Sequence, residues 1–178
     1  TSLIGAGEAI SHEVGHNLGL NHDGLTGGTA YYQGHGSGAT GWAPIMGVGY
    51  YQKLVQWSKG DYSGANNTED DIANITSYGA TLMVDDHSDT AQGASLLDTT
   101  TTGATSTLSG RGLIGLRADI DVFSFTSGTG SYSLTVSPAP YNPNLDIQLK
   151  LVNIYGVLIA SSNAVDTLPA ALSGSLAA

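Results

Sequence analysis

Residues 12–23 read His12-Glu13-Val14-Gly15-His16-Asn17-Leu18-Gly19-Leu20-Asn21-His22-Asp23. On a helix, side chains four apart share a face, so His12 and His16 can offer two imidazole nitrogens to one ion. Glu13 is rotated about 100° from His12, which suits contact with a water beside the ion rather than with the ion itself. Gly19 lets the backbone turn sharply, and the turn can bring His22 round as a third ligand. Three protein ligands leave one coordination position open, the pattern of a catalytic zinc rather than a closed structural one.

Incidental clustering is a weak rival to this reading. The chain has five histidines, and the composition makes a chance match to the three His, Glu and Gly positions on the order of 10⁻⁵ per chain. A purely structural zinc site is the stronger rival, but such a site has no need of a carboxylate at Glu13. The other histidines are His35, expected as a solvated residue in a Gly-rich loop, and His87, expected to be exposed.

Outward from this stretch, Leu3, Ile10, Val14 and Leu18 recur at near-helical spacing, which predicts a helix over 2–18 with Gly19 as its stop. Val14, Leu18 and Leu20 are expected to anchor it. Residues 20–49 are turn-rich. Thr68 and Asp71 are spaced like a capping box, predicting a second helix from about Asn67 to Tyr78, with Glu69, Asp70 and Asp71 in its first turn.

Past Gly79 the period changes from helical to alternating. Val122–Thr126, Tyr132–Val136 and Leu145–Val152 read as half-buried strands, antiparallel by preference. Asn153–Gly156 reads as the turn of a hairpin closing on Val157–Ala160. The Thr/Ser/Gly tract over Asp98–Gly110 reads as a loop. This divides the chain into a helical part, 1–79, and an all-β part, 80–178.

Composition narrows the class. Hydrophobic residues are 40%, enough for a globular core, and charged residues only 11%. A formal net charge of -10 with five Lys and Arg argues against nucleic acid or an anionic membrane as partner. The absence of cysteine excludes disulfides and thiolate metal sites. No apolar run approaches the roughly 20 residues of a membrane span. Asn66-Asn67-Thr68 and Asn74-Ile75-Thr76 match the glycosylation pattern.

Residues 12–23 resemble the extended zinc motif of the metzincin metallopeptidases. Asp23 after the third histidine looks most like the reprolysin (adamalysin) branch. Pro44-Ile45-Met46-Gly47 resembles the family's methionine turn, with Met46 beneath the zinc. Two departures stand out: Val48 occupies the place where some metzincins carry a tyrosine, and the disulfides of animal reprolysins have no counterpart. The family's upper, sheet-containing subdomain precedes the zinc helix, so this chain is expected to be an internal piece carrying the lower half of the cleft. The 178-residue chain alone is then expected to be weak or inactive as a peptidase.

The second part resembles the bacterial pre-peptidase C-terminal domain, a β-sandwich attached to secreted peptidases. The residues that carry this are Asp85–Thr90, Asp119–Thr126 and Asn144–Ile147. Related domains bind calcium, which makes Asp86, Asp89, Asp119 and Asp121 candidate Ca²⁺ ligands beside a simpler reading as turn caps.

The resemblances together imply an α+β chain: part of a metzincin-like catalytic domain, then a sandwich-like domain, both truncated. They imply a secreted zinc endopeptidase acting on protein or peptide substrates, with zinc held by His12, His16 and His22 and Glu13 as general base. The alternative is a secreted binding or adhesion module with a vestigial zinc site.

Overall fold

A computed structural model of the chain describes residues 3–177. It is a mixed α and β structure with two α-helices and ten short strands. Ser2, the first residue of the expected helix, lies outside the described residues. Two compact units form: Thr1–Thr81 with Val136–Gln148 and Asn163–Ala170, and Leu82–Thr135 with Leu149–Ser162 and Ala171–Ala178. No helix of the described residues is long and apolar enough to cross a membrane.

In the first unit, α1 spans Leu3–Asn17. It ends in a Schellman motif: Leu20 N–H bonds Gly15 O at 3.1 Å and Gly19 N–H bonds His16 O at 3.1 Å. Gly19 has φ +81°, and a β-carbon there would lie 2.5 Å from the ring of Tyr78. Glycine is therefore required twice, by backbone and by space.

The apolar stripe read along this helix is not its buried face. Ile10 is 65% exposed and Val14 45% exposed, which corrects the expectation that Val14 anchors the helix. Gly15 is buried instead. Its missing side chain lets the helix settle on Met46, Trp57 and Leu20. Of the expected anchors, Leu20 is buried and Leu18 is half-buried.

Strands β1 (Trp42–Pro44) and β2 (Leu54–Gln56) pair in parallel, with Trp42 opposite Leu54 and Pro44 opposite Gln56. The connection over 45–53 is far shorter than the usual helical crossover. It works because Met46 and its neighbours form a tight turn, with Gly47 N–H bonded to Pro44 O and Val48 N–H bonded to Tyr32 O. Ala43, Pro44, Met46 and Leu54 are buried there.

Helix α2 spans Asp71–Ser77. Asp70, not Asn67 or Thr68, is its N-cap, the side chain accepting from Ala73 N–H. Asp71 is instead fully buried and accepts the Ser58 N–H at 2.7 Å, while its own N–H bonds Ser58 O. That reciprocal pair ties the start of α2 to the strand exit.

The second half of the sequence also builds the first unit. Asn144 acts as a backbone mimic: its Oδ1 accepts from Val55 N–H at 3.0 Å and its Nδ2 donates to Val55 O at 2.7 Å. Residues 145–148, expected as strand, are not one; Ile147 N–H bonds Leu168 O instead.

The second unit is built from two-stranded pairings. β3 (Ser95–Leu96) runs parallel to β6 (Phe123–Ser124), against the antiparallel expectation. β8 (Leu149–Val152) and β9 (Leu158–Ser162) are antiparallel, matching the expected hairpin with its turn at Asn153–Gly156. β7 (Gly130–Val136) pairs with β10 (Ala170–Leu176). The Asp98–Gly110 tract is not a loop: β4 (Asp98–Thr102) and β5 (Thr105–Ser109) form an antiparallel hairpin. Nearly every residue of both strands is exposed, so no apolar alternation marks them, and the pairing is carried by the β-propensity of threonine.

Candidate metal centre

One nitrogen each from His12, His16 and His22 lies within 4.8 Å of the others, a group that can hold a metal ion. The first two come from α1 and the third from the turn after it. The ring centroids are 4.7 to 5.3 Å apart.

Hydrogen bonds decide which nitrogens are free. His12 Nδ1 lies 2.8 Å from Ile45 O and His16 Nδ1 lies 2.9 Å from Leu20 O. A carbonyl only accepts, so both Nδ1 atoms carry hydrogen and both Nε2 lone pairs are left for a ligand. His16 Nε2 and His22 Nε2 are 2.9 Å apart, a little under the about 3.3 Å that two nitrogens on one tetrahedral zinc would have. A small opening of the pair fits that donor set.

His22 is held from both sides of the chain. The next residue, Asp23, donates its N–H to Met46 O at 2.9 Å, joining the turn that carries His22 to the turn at Met46. The preceding Asn21 donates its N–H to Glu69 Oε1 at 2.8 Å. Glu69 also accepts from Asn67 and Asn74. Burial works against its ionisation, but these donors outweigh it and hold the carboxyl below its ordinary range. Asn74 Nδ2, the atom a glycan would take, is thus engaged with Glu69. Neither Glu69 nor the Asn21 contact had a signal in the sequence, since they lie 48 positions apart.

The imidazole of His22 is pushed down by burial and then by His16 and His12, with Glu13 acting in the opposite sense. Glu13, itself exposed, thus reaches His22 through its charge. Comparison with protein-family models, with characterised proteins and with solved structures gives no match.

A tyrosine does border the centre, but not where a sequence reading looks for it. Tyr50 and Tyr51 are exposed. Tyr31 packs its ring on His22, centroids 4.4 Å apart, and lies 6.3 Å from His12. Below the centre, Met46 is fully buried. Asp23 and Asp71 are buried beside Ser58, and each keeps one carboxylate oxygen without a hydrogen-bond partner. Desolvation first, then the charges of Glu69 and Asp61, push Asp23 up to about 6; desolvation, with the charges of Asp23, Glu69 and Asp70, pushes Asp71 up to about 7.

His35 is exposed, as expected, yet pinned: Nδ1 meets Tyr32 OH at 3.1 Å, and its backbone pairs with Trp42. His87 is not the exposed residue the sequence suggested. It is half-buried in the second unit against Phe123, with Ser95 Oγ at 2.7 Å and Arg111 O at 2.8 Å.

The four candidate aspartates lie around Asp85, which the sequence reading omitted. Carboxylate oxygens of Asp85, Asp89 and Asp119 lie within 4.8 Å of one another, as do those of Asp85, Asp86 and Asp121. Of the four candidates, only Asp119 closes a local turn, accepting from Gly115 N–H; Asp86 accepts from Leu113 N–H and Asp89 from Ile120 N–H, bonds that tie together segments 27 and 31 positions apart. Burial, then the charges of Asp86, Asp119 and Asp85, push the Asp121 carboxyl up, with His87 opposing.

Proposed function

We propose that this chain is the core of a secreted zinc-dependent endopeptidase of the metzincin type. The observation that supports it most is the convergence of three imidazoles whose Nδ1 hydrogens, in His12 and His16, are committed to backbone carbonyls, next to a carboxylate at Glu13. The extended motif at 12–23 and the buried Met46 beneath Gly15 carry the family resemblance.

His12, His16 and His22 would hold the zinc. When bound, zinc supplies a Lewis acid that makes water acidic enough to attack near neutral pH and polarises a carbonyl. Glu13 accepts the proton of the attacking water as its oxygen bonds the scissile carbon. It then delivers that proton to the nitrogen as the C–N bond breaks, so one water is consumed per bond. The carbonyl contacts of His12 and His16 keep their rings oriented through the reaction, and Tyr31 limits rotation of His22.

The test is hydrolysis of unfolded casein by the purified protein, followed with its zinc content. Loss of cleavage on chelation and recovery on adding zinc is expected. Full zinc loading without cleavage would favour the binding-module alternative.

A further inference from the structure

In the second unit, a cavity of about 310 Å³ is lined by Asp86, His87, Ser95, Leu96, Arg111 and Phe123 among others. That is at the small end of the roughly 300 to 1,000 Å³ of ligand sites. The metal centre uses none of these residues.

His87 is the pivot of the cavity. Its Nε2 lies 2.8 Å from Arg111 O, and a carbonyl only accepts, so Nε2 carries the hydrogen of the neutral ring. Nδ1 is then the bare nitrogen, and at 2.7 Å the Ser95 hydroxyl donates to it. Ser95 thus points its proton at a base. The base is itself held in place. Asp86 Oδ1 accepts from Leu113 N–H, and Oδ2 of the same carboxylate lies 3.5 Å from His87 Nε2, where it favours a charged imidazole. Phe123 packs on the ring with centroids 4.5 Å apart, and a β-carbon on Gly112 would come within 2.9 Å of His87 Cδ2. A hydroxyl bonded to an imidazole whose other nitrogen is held by a third group is the geometry of an activated serine.

Strand β3 supplies a donor beside it. Ser95 N–H bonds Val122 O and Leu97 N–H bonds Ser124 O, both on the β6 side. Strand alternation turns the Leu96 N–H the other way, so the amide that follows Ser95 is left for an acceptor. An amide next to a nucleophile suits a developing oxyanion.

We propose that this cavity is a second, metal-independent hydrolytic site for small acyl esters, with Ser95 as nucleophile and His87 as its base. Ser95 Oγ bonds the acyl carbon while its proton passes to His87 Nδ1. The ester C–O bond then breaks, and His87 gives that proton to the leaving alcohol. Water attacks the acyl-serine through the same base, so one water is consumed per ester and Ser95 is restored. The apolar walls at Leu96 and Phe123 and the small volume suit a short acyl chain.

A fluorophosphonate probe and p-nitrophenyl acetate, each given to the protein with a zinc chelator present, test this without any variant. Mass spectrometry should find the phosphonyl group on Ser95, and ester hydrolysis should begin with a burst of nitrophenol. Ser95→Ala should abolish labelling, and His87→Gln should slow hydrolysis by at least about 10²-fold, with far-UV circular dichroism unchanged as the check of the fold. Ser109→Ala, in the same cavity wall, should leave both readouts intact. No adduct on Ser95 in the wild-type protein, or hydrolysis surviving in a folded Ser95→Ala protein, would overturn the assignment. Hydrolysis that the chelator stops would overturn it too, and would belong to the histidine cluster instead.

Discussion

The sulfur of Met46 lies 2.5 Å from the point that a β-carbon on Gly15 would occupy, with the Trp57 ring at 3.2 Å and a Leu20 methyl at 3.3 Å. The helix that carries His12 and His16 rests on the turn at Met46 through a missing side chain. Gly15→Ala would raise helix propensity by up to about 1 kcal/mol, yet Met46 is fully buried and has little room to move aside. Overpacking should win, with a net loss of about 1–3 kcal/mol in denaturant unfolding. Met46→Ala in the same chain should recover part of that loss, a coupling that independent sites would not show.

Replacing His12, His16 or His22 by Ala should each lower bound zinc below one ion per chain. Tyr31→Ala keeps the ligands but frees the His22 ring, so zinc affinity should fall about 10-fold, the lower end for outer contacts of a metal site. Competition with a chromophoric chelator reads both effects. Full occupancy in all three histidine variants would remove the assignment.

Asp71 supplies a test by pH. Desolvation, assisted by Asp23, Glu69 and Asp70, raises its carboxyl from 3.8 to about 7 despite the Ser58 N–H bond. The folded chain thus holds this proton more tightly than the unfolded one. The penalty is absent below pH 3.8, grows as pH rises from there to about 7, and is complete above it. Asp71→Asn keeps an acceptor for Ser58 N–H and needs no ionisation. Its melting temperature should match wild type near pH 4 and exceed it increasingly towards pH 8. A constant difference across that range would mean the carboxyl is not raised.

Asn144→Ala removes both partners of the Val55 backbone. These bonds are exposed, so water replaces them and the loss should be about 1 kcal/mol. The denaturation midpoint should fall at constant slope, and the Val55 amide should exchange faster with solvent. An unchanged Val55 exchange rate would show that the clamp does not hold β2.

What the sequence disclosed and what it hid follow one physical division. The histidine cluster is local, set by helical spacing and one glycine turn, and it was legible at 12–22. Met46 was legible only through the resemblance of Pro44-Ile45-Met46-Gly47 to a methionine turn, and its full burial is what the structure adds. Glu69 reaching Asn21, Asn144 reaching Val55 and Tyr31 packing on His22 are contacts across sequence distance, with no periodic signature. The β4–β5 hairpin was hidden for another reason: with both faces in solvent, threonines alternate with nothing apolar. The stripe through Ile10 and Val14 misled because the contact that seats α1 is made by Gly15, and an absent side chain has no hydrophobicity to read.

The central claim is that Glu13 moves the proton while the three histidines hold the metal. The most direct measurement pairs zinc content with peptide hydrolysis in Glu13→Gln. Glutamine keeps the shape and a hydrogen bond to water but cannot take its proton. Zinc should remain at one ion per chain while kcat/KM falls by at least about 10²-fold, the scale of a lost general base. Hydrolysis at the wild-type rate in the zinc-loaded variant would contradict the account.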